Sequence, residues 1–307
     1  MKIVFFGSSN FSVPSLKSIS SLVSCVVTKK GKPKGRGYML DDNEVKKTAI
    51  ASGIPLLEME SFNDREIVSK LEDLKPGLFV VVSFGLIFPK WALNLPSTGS
   101  INIHPSLLPK HRGPSPMQWA ILKGDEKTGI TVMKMVEKMD SGNIIYQEDS
   151  AIDKDENIIA LSERLSGRAG IVLPEIIDRI SRDGLPEGIE QKAEEVTYAP
   201  LIRKEMARID WNQRAIEIVR QIRAFALWPV AYTTLDNTLF KIFDGEINSL
   251  EGKDEPGIIL EKNSHGILVS ASDGSILVKE IQMENRKKMN ASVFANGYRG
   301  LVGKKFK

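Results

Sequence analysis

The sequence is sparing with the residues that metal and disulfide chemistry use: among 307 residues there is one cysteine and only three histidines. A single thiol closes no internal disulfide, and no Cys/His cluster offers a zinc site, so a reducing compartment fits. Cys25 itself sits in the apolar run Val23 to Val27, where burial in a strand is the simpler role. Long hydrophobic runs are missing too, so no segment is expected to span a bilayer. The opening MKIVFF begins a strand directly, without the apolar core and cleavage site of a secretory leader. This predicts a cytoplasmic, bacterial protein rather than an imported one. Nucleotide-binding loops are absent as well. The first turn, GSSNFS, has Gly7 as its only glycine and lacks the G-x-G-x-x-G spacing of a dinucleotide site. Gly31 to Gly37 is glycine-rich and basic but does not end in G-K-[ST], so it is not a phosphate-binding P-loop. There is no internal repeat and no low-complexity tract.

What is present describes an ordinary folded chain, 42% hydrophobic and 26% charged, long enough for two domains. A net charge of +3 is too small to argue for a nucleic-acid partner, but its distribution is uneven. Lys29 to Arg36 holds five basic residues and no acid, and Asn285 to Lys307 holds seven and no acid. Asp183 to Glu195 is acidic. The two basic segments read either as a footprint for a polyanion or as solvated surface.

Through the first 180 or so residues, apolar strand signals alternate with helical ones. Strands are expected at Ile3 to Phe6, Val23 to Val27, Leu78 to Ser83, Ser100 to Ile103 and Thr131 to Met135. Helices are expected at Val13 to Ile19, Glu44 to Ser52, Asp64 to Leu74 and Pro116 to Leu122. Nearly continuous apolar strands separated by helices imply a doubly wound, mostly parallel α/β sheet covered on both faces. A helical stripe from Ile158 to Ile180 follows, which Pro174 is expected to kink or divide. The Gly- and Pro-punctuated acidic stretch Asp183 to Ala199 after it reads as a linker. The boundaries drawn are 1–190 for a first domain, 191–206 for a linker and 207–307 for a second domain. In the second domain Asn212 is expected to cap a helix running to Ala226. Five short strands follow, at Ala231 to Leu235, Leu239 to Phe243, Ile258 to Leu260, Ile267 to Ser270 and Ile276 to Ile281. They suggest a small OB-like β-barrel.

The chemistry concentrates in SINIHPSLLPKHRG, Ser100 to Gly113. Strand alternation points Ile101 and Ile103 one way and Asn102 and His104 the other. Pro105 ends the strand immediately, leaving the amide and the imidazole at its carboxyl edge, where open α/β sheets bind ligands. An amide donor beside an imidazole suits the oxyanion formed when an amine attacks an acyl carbon. The same pair would also serve as a structural cap of a strand end. A third polar residue, Asp140 in MDSG, would raise the imidazole pKa and orient the ring if it lay beside His104. Otherwise it stabilises a turn. Spacing alone does not bring it there. His111 reads as peripheral and His265 as a turn residue.

The segment INIHPSLLPKHRGPSPMQWAI, followed by MDSGNII, resembles the folate-dependent formyltransferase family. That resemblance implies a Rossmann-like catalytic domain with Asn102, His104 and Asp140 as the catalytic trio. It further implies a folate pocket lined by Ser106, Leu107, Leu108, Pro109 and the loop Phe84, Gly85, Leu86, Ile87, with 10-formyltetrahydrofolate as formyl donor. Formyl transfer from an activated donor needs positioning and charge stabilisation, so no metal is required. Further segments are similar to the branch of the family whose acceptor is methionyl initiator tRNA: the loop KPKGRG, the stretches Val196 to Trp211 and Ile222 to Tyr232, and KKMNASVFANGYR near the end. They imply tRNA contacts at Lys32, Lys34, Arg36, Lys287, Lys288 and Arg299. A monomer without a membrane partner is the expectation. An amino sugar nucleotide is the alternative acceptor.

Overall fold

Val4-Phe5-Phe6 and Phe79-Val80-Val81 carry no polar side chain, and both become central strands of a sheet covered on its two faces. The chain runs β1 (Ile3–Gly7), α1 (Val13–Ser18), β2 (Val23–Thr28), β3 (Lys32–Lys34), β4 (Met39–Asp41), α2 (Glu44–Ala51), β5 (Leu56–Glu58) and α3 (Arg65–Asp73). It continues through β6 (Leu78–Val82), α4 (Lys90–Leu93), β7 (Gly99–His104), α5 (Pro116–Lys123), β8 (Lys127–Lys134), β9 (Ile144–Ala151) and α6 (Ile158–Asp183). The rest comprises α7 (Ala215–Ala224), β10 (Ala231–Leu235), β11 (Thr238–Ser249), β12 (Ile259–Asn263), β13 (Gly266–Ala271), β14 (Gly274–Met283), β15 (Met289–Asn290) and α8 (Ala291–Gly297). This computed structural model describes residues 1–34, 39–252 and 254–307. Among them no helix is long and apolar enough to cross a membrane.

The chain divides into two compact units: Met1–Pro116 with Lys127–Ala151 and Ser162–Pro200, and Met117–Glu126 with Ile152–Leu161 and Leu201–Lys307. The first unit holds a seven-stranded sheet in the order β5-β2-β1-β6-β7-β8-β9. Five strands run parallel, and β8 and β9 are antiparallel additions at one edge. Ile3 and Phe5 face one layer and Val4 and Phe6 the other, all essentially buried. Phe6 packs edge-to-face on Phe79, Phe84 and Phe88 at ring separations of 4.8, 5.3 and 5.1 Å. Strand β9 was missed in the sequence because IIYQEDSA is largely polar, as an edge strand half in solvent permits.

Pro174 does not divide the helical stripe: α6 continues through it from Ile158 to Asp183. Its missing hydrogen bond and ring clash cost about 3 kcal/mol. Against that, Leu161, Leu165, Val172, Ile176 and Ile180 are all buried along one face, each contributing about 1.5–3 kcal/mol. Burial wins.

In the second unit, Asn212 does not cap the helix. Its amide is held by Asp210, and α7 begins later, with the Ala215 N–H donating to the Asp273 carboxylate from the β13–β14 turn. Strands β10-β11-β14-β13-β12 form an antiparallel sheet. The last residues close it into the expected barrel. Ile259 N–H donates to the Lys304 carbonyl (2.8 Å), while Thr234 and Lys307 exchange two backbone bonds of 2.9 Å. Trp211 stacks on Phe306 at 5.8 Å inside the core of this barrel.

Candidate active site

Strand β7 pairs with β6 through Val81–Asn102 and with β8 through His104–Thr131, so the ends of three strands meet around the two polar side chains. Asn102 is half-buried, and among the described residues no hydrogen bond engages its amide. His104 is only 4% exposed. Its Nε2 lies 2.9 Å from the His111 carbonyl. A carbonyl only accepts, so Nε2 carries the proton and the neutral ring turns the lone pair of Nδ1 toward Asp140. The gap from Nδ1 to Asp140 Oδ2 is 3.7 Å, too long for a hydrogen bond. Two acceptors therefore face one another across a space that suits a proton donor.

Burial pushes the His104 pKa below its ordinary value, and this outweighs the upward pull of the Asp140 carboxylate and of the His111 carbonyl. The expectation that a nearby carboxylate would raise this pKa thus has the right sign for one contribution and the wrong sign for the sum. The ring is also oriented by the His111 carbonyl rather than by Asp140. His111, read as peripheral, is a buried residue at φ +60° whose backbone does this work.

Asp140 reaches the site in a left-handed conformation, φ +50°. Its Oδ2 accepts from the Gly113 N–H at 2.8 Å. Two residues on, a Cβ at Gly142 would stand 1.9 Å from the Lys134 carbonyl, so only glycine lets the turn lie against β8. The loop between His104 and Gly113 is held from several sides. Thr131 Oγ1, fully buried on β8, donates to the Ser106 carbonyl (2.6 Å) and accepts from Leu108 N–H (3.2 Å) and Gln147 Nε2 (2.9 Å). Gln147 also donates to the Leu108 carbonyl at 2.9 Å. From residues beyond α6, Thr197 Oγ1 accepts from His111 N–H at 2.8 Å, and Ala199 N–H donates to the Arg112 carbonyl at 2.8 Å. Residues 191–200, read as the start of a linker, thereby pack into the first unit.

Residues 1–177 match the formyl transferase family model, and residues 201–299 match the model of the formyl transferase C-terminal domain. The chain belongs to the formyl transferase family. It is 39% identical to the methionyl-tRNA formyltransferase of Thermodesulfovibrio yellowstonii, over 96% of this chain and 95% of that one. It is 37% identical to the methionyl-tRNA formyltransferase of Staphylococcus aureus, over 99% of each. Among solved structures, an N-formyltransferase from Helicobacter canadensis in complex with folinic acid and dTDP-3-aminofucose has the same fold. Its TM-score is 0.68 at 22% identity, covering 91% of this chain and 98% of that one.

Around this candidate site the other residues singled out in the sequence fall into two groups. Ser106, Leu108, Pro109 and Phe84 are buried, Phe84 in the aromatic cluster about Phe6. Leu107 and Leu86 are half-buried, while Gly85 and Ile87 are exposed on the loop after β6, where Lys29 Nζ donates to the Gly85 carbonyl at 2.7 Å. Lys32 and Lys34 lie on β3, and Arg36 lies outside the described residues. Lys287, Lys288 and Arg299 are exposed on the second unit, but Lys288 is already engaged. Its ammonium is 2.5 Å from Glu280 and sits 4.9 Å over the Phe243 ring. His265 occupies the turn between β12 and β13, its N–H donating to Asn263 Oδ1. Among the described residues no group of three or more His, Cys, Asp or Glu is placed to hold a metal. The supporting residues Arg112, Thr131, Gln147, Gln191 and Thr197 escaped the sequence reading. Only Thr131, a hydroxyl inside the apolar run ITVM, carried a local signal.

Proposed function

We propose that this chain transfers the formyl group of 10-formyltetrahydrofolate to the amino group of methionyl initiator tRNA. The observation that carries this reading is the 39% identity to a methionyl-tRNA formyltransferase along nearly the whole length of both proteins, second domain included. The folate donor is supported by the folinic acid in the related fold from Helicobacter canadensis. The catalytic assignment is supported by the 3.7 Å approach of Asp140 to His104 and by Asn102 standing two residues before His104 on the same strand, near the carboxyl end of the sheet.

The methionyl nitrogen attacks the formyl carbon, a C–N bond forms, and charge develops on the formyl oxygen. The proton leaving the amine passes to the Nδ1 lone pair of His104, which the His111 carbonyl keeps available. The resulting imidazolium lies between that carbonyl and the Asp140 carboxylate, both of which favour the cation. Nδ1–H and the Asn102 amide then serve as donors to the oxyanion. Collapse breaks the carbon–nitrogen bond to the folate, whose nitrogen takes the proton back. The folate is held by Ser106 to Pro109 and Phe84 to Ile87.

In this reading residues 1–190 form the catalytic domain and 207–307 the tRNA-binding domain; of the segment 191–206 between them, 191–200 packs with the first. Lys32, Lys34, Arg36, Lys287, Lys288 and Arg299 meet tRNA phosphates. The enzyme works as a monomer in the bacterial cytoplasm. The deciding assay offers charged initiator tRNA, charged elongator tRNA and an amino sugar nucleotide with one labelled folate donor. Transfer to the initiator alone is expected, and preferential formylation of the sugar would overturn the reading.

A further inference from the structure

We propose that Gln191 is a positioning residue for formyl transfer, acting through Asp140; this rests on the catalytic role given to Asp140 above. Gln191 lies beyond α6, far along the chain from the motifs that carry the chemistry, and is 8% exposed. Its Nε2 donates to the backbone carbonyls of Asp140 (3.0 Å) and Gly142 (2.8 Å). Its Oε1 accepts from Nε (2.9 Å) and Nη2 (2.7 Å) of Arg112, which is itself buried. Every donor and acceptor of the amide is thus used, two on each side.

These bonds fall on the part of the chain that most needs holding. Asp140 is in the left-handed region at φ +50°, a conformation a non-glycine residue keeps only when its surroundings enforce it. Gln191 clamps the carbonyl of Asp140 and, two residues later, that of Gly142, while the Gly113 N–H takes the carboxylate. Arg112 adjoins Gly113, so one amide ties together the backbone on both sides of the carboxylate. The 3.7 Å space between Asp140 and His104 is a product of this tie. A glutamine is needed because the site requires donors toward the turn and acceptors toward the guanidinium at once. A glutamate would keep the arginine but set a carboxylate against two carbonyl oxygens.

The test is a double-mutant cycle with Gln191→Glu and Asp140→Asn, read as kcat and KM for formylation. Gln191→Glu is expected to lower kcat by about 10- to 100-fold, the usual effect of misplacing a reacting group by an ångström or less. KM for the folate donor should move less than about twofold. Because the effect runs through Asp140, adding Gln191→Glu to Asp140→Asn should cost less than about a further twofold. Full multiplication of the two losses, or an unchanged kcat in the single variant, would overturn the inference. An unchanged kcat in Asp140→Asn would instead remove the catalytic role of Asp140. Should the glutamate variant fail to fold, Gln191→Met carries the same cycle, with the same two outcomes deciding.

Discussion

Replacing Thr131 by valine tests how the reactive loop is supported. The substitution keeps the shape of the side chain and deletes one hydroxyl that makes three hydrogen bonds at a fully buried position. Gln147 Nε2 retains its bond to the Leu108 carbonyl. The Leu108 N–H and the Ser106 carbonyl lose the partner that Thr131 gave them. Leaving a buried polar group unmatched costs about 1–3 kcal/mol, so with two groups orphaned Thr131→Val should destabilise the first unit by about 2–6 kcal/mol. Thr131→Ser preserves the hydroxyl and loses one methyl, for about 1 kcal/mol. Urea unfolding of both variants, alongside their formylation rates, separates hydroxyl from methyl. The valine variant should also lose kcat, because the loop it loosens carries the His111 carbonyl that sets the His104 tautomer. A valine variant within about 0.5 kcal/mol of the parent, or a serine variant no better than the valine one, would refute the reasoning.

Asn102→Ala removes one of the two proposed oxyanion donors and should lower kcat by about 100- to 1000-fold while folate binding, followed by fluorescence titration, is retained. Because burial holds the His104 pKa below its usual value, the ring stays neutral in the fold as pH falls through the ordinary imidazole range. Between the folded and unfolded values the unfolded chain binds a proton that the fold does not. The stabilising contribution is therefore complete above about pH 6.5 and is lost as pH falls toward the depressed value. Titrating the His104 ring by NMR checks this, and Asp140→Asn should move the midpoint further to acid; a shift to alkaline pH refutes the assignment. Replacing Lys287 and Arg299 together by alanine should weaken methionyl-tRNA binding and reduce its dependence on log salt by about one unit for each phosphate they neutralise. An unchanged slope would remove both from the interface.

The parallel core was legible because β1 and β6 are buried on both faces, and a doubly covered strand leaves an unbroken apolar run in the sequence. Strand β9 was not, since half its side chains face water. The stripe that becomes α6 was legible along its length, and of the two outcomes expected at Pro174 the division did not occur, because the proline is a local penalty whereas the burial of a whole helical face is a collective gain. The start of α7 was displaced by a carboxylate, Asp273, that comes from another part of the chain.

Within the candidate site, the sequence by itself determined that Asn102 and His104 share one side of a strand and stand at its end. Two-residue alternation and a following proline depend only on neighbours. The tertiary structure alone decided that Asp140 stands across from His104, that the imidazole proton sits on Nε2, and that Gln191 and Arg112 hold the turn. Those outcomes rest on side-chain hydrogen bonds to backbone groups remote in the chain. Such bonds follow no periodicity and no local preference, so nothing in the order of residues announces them.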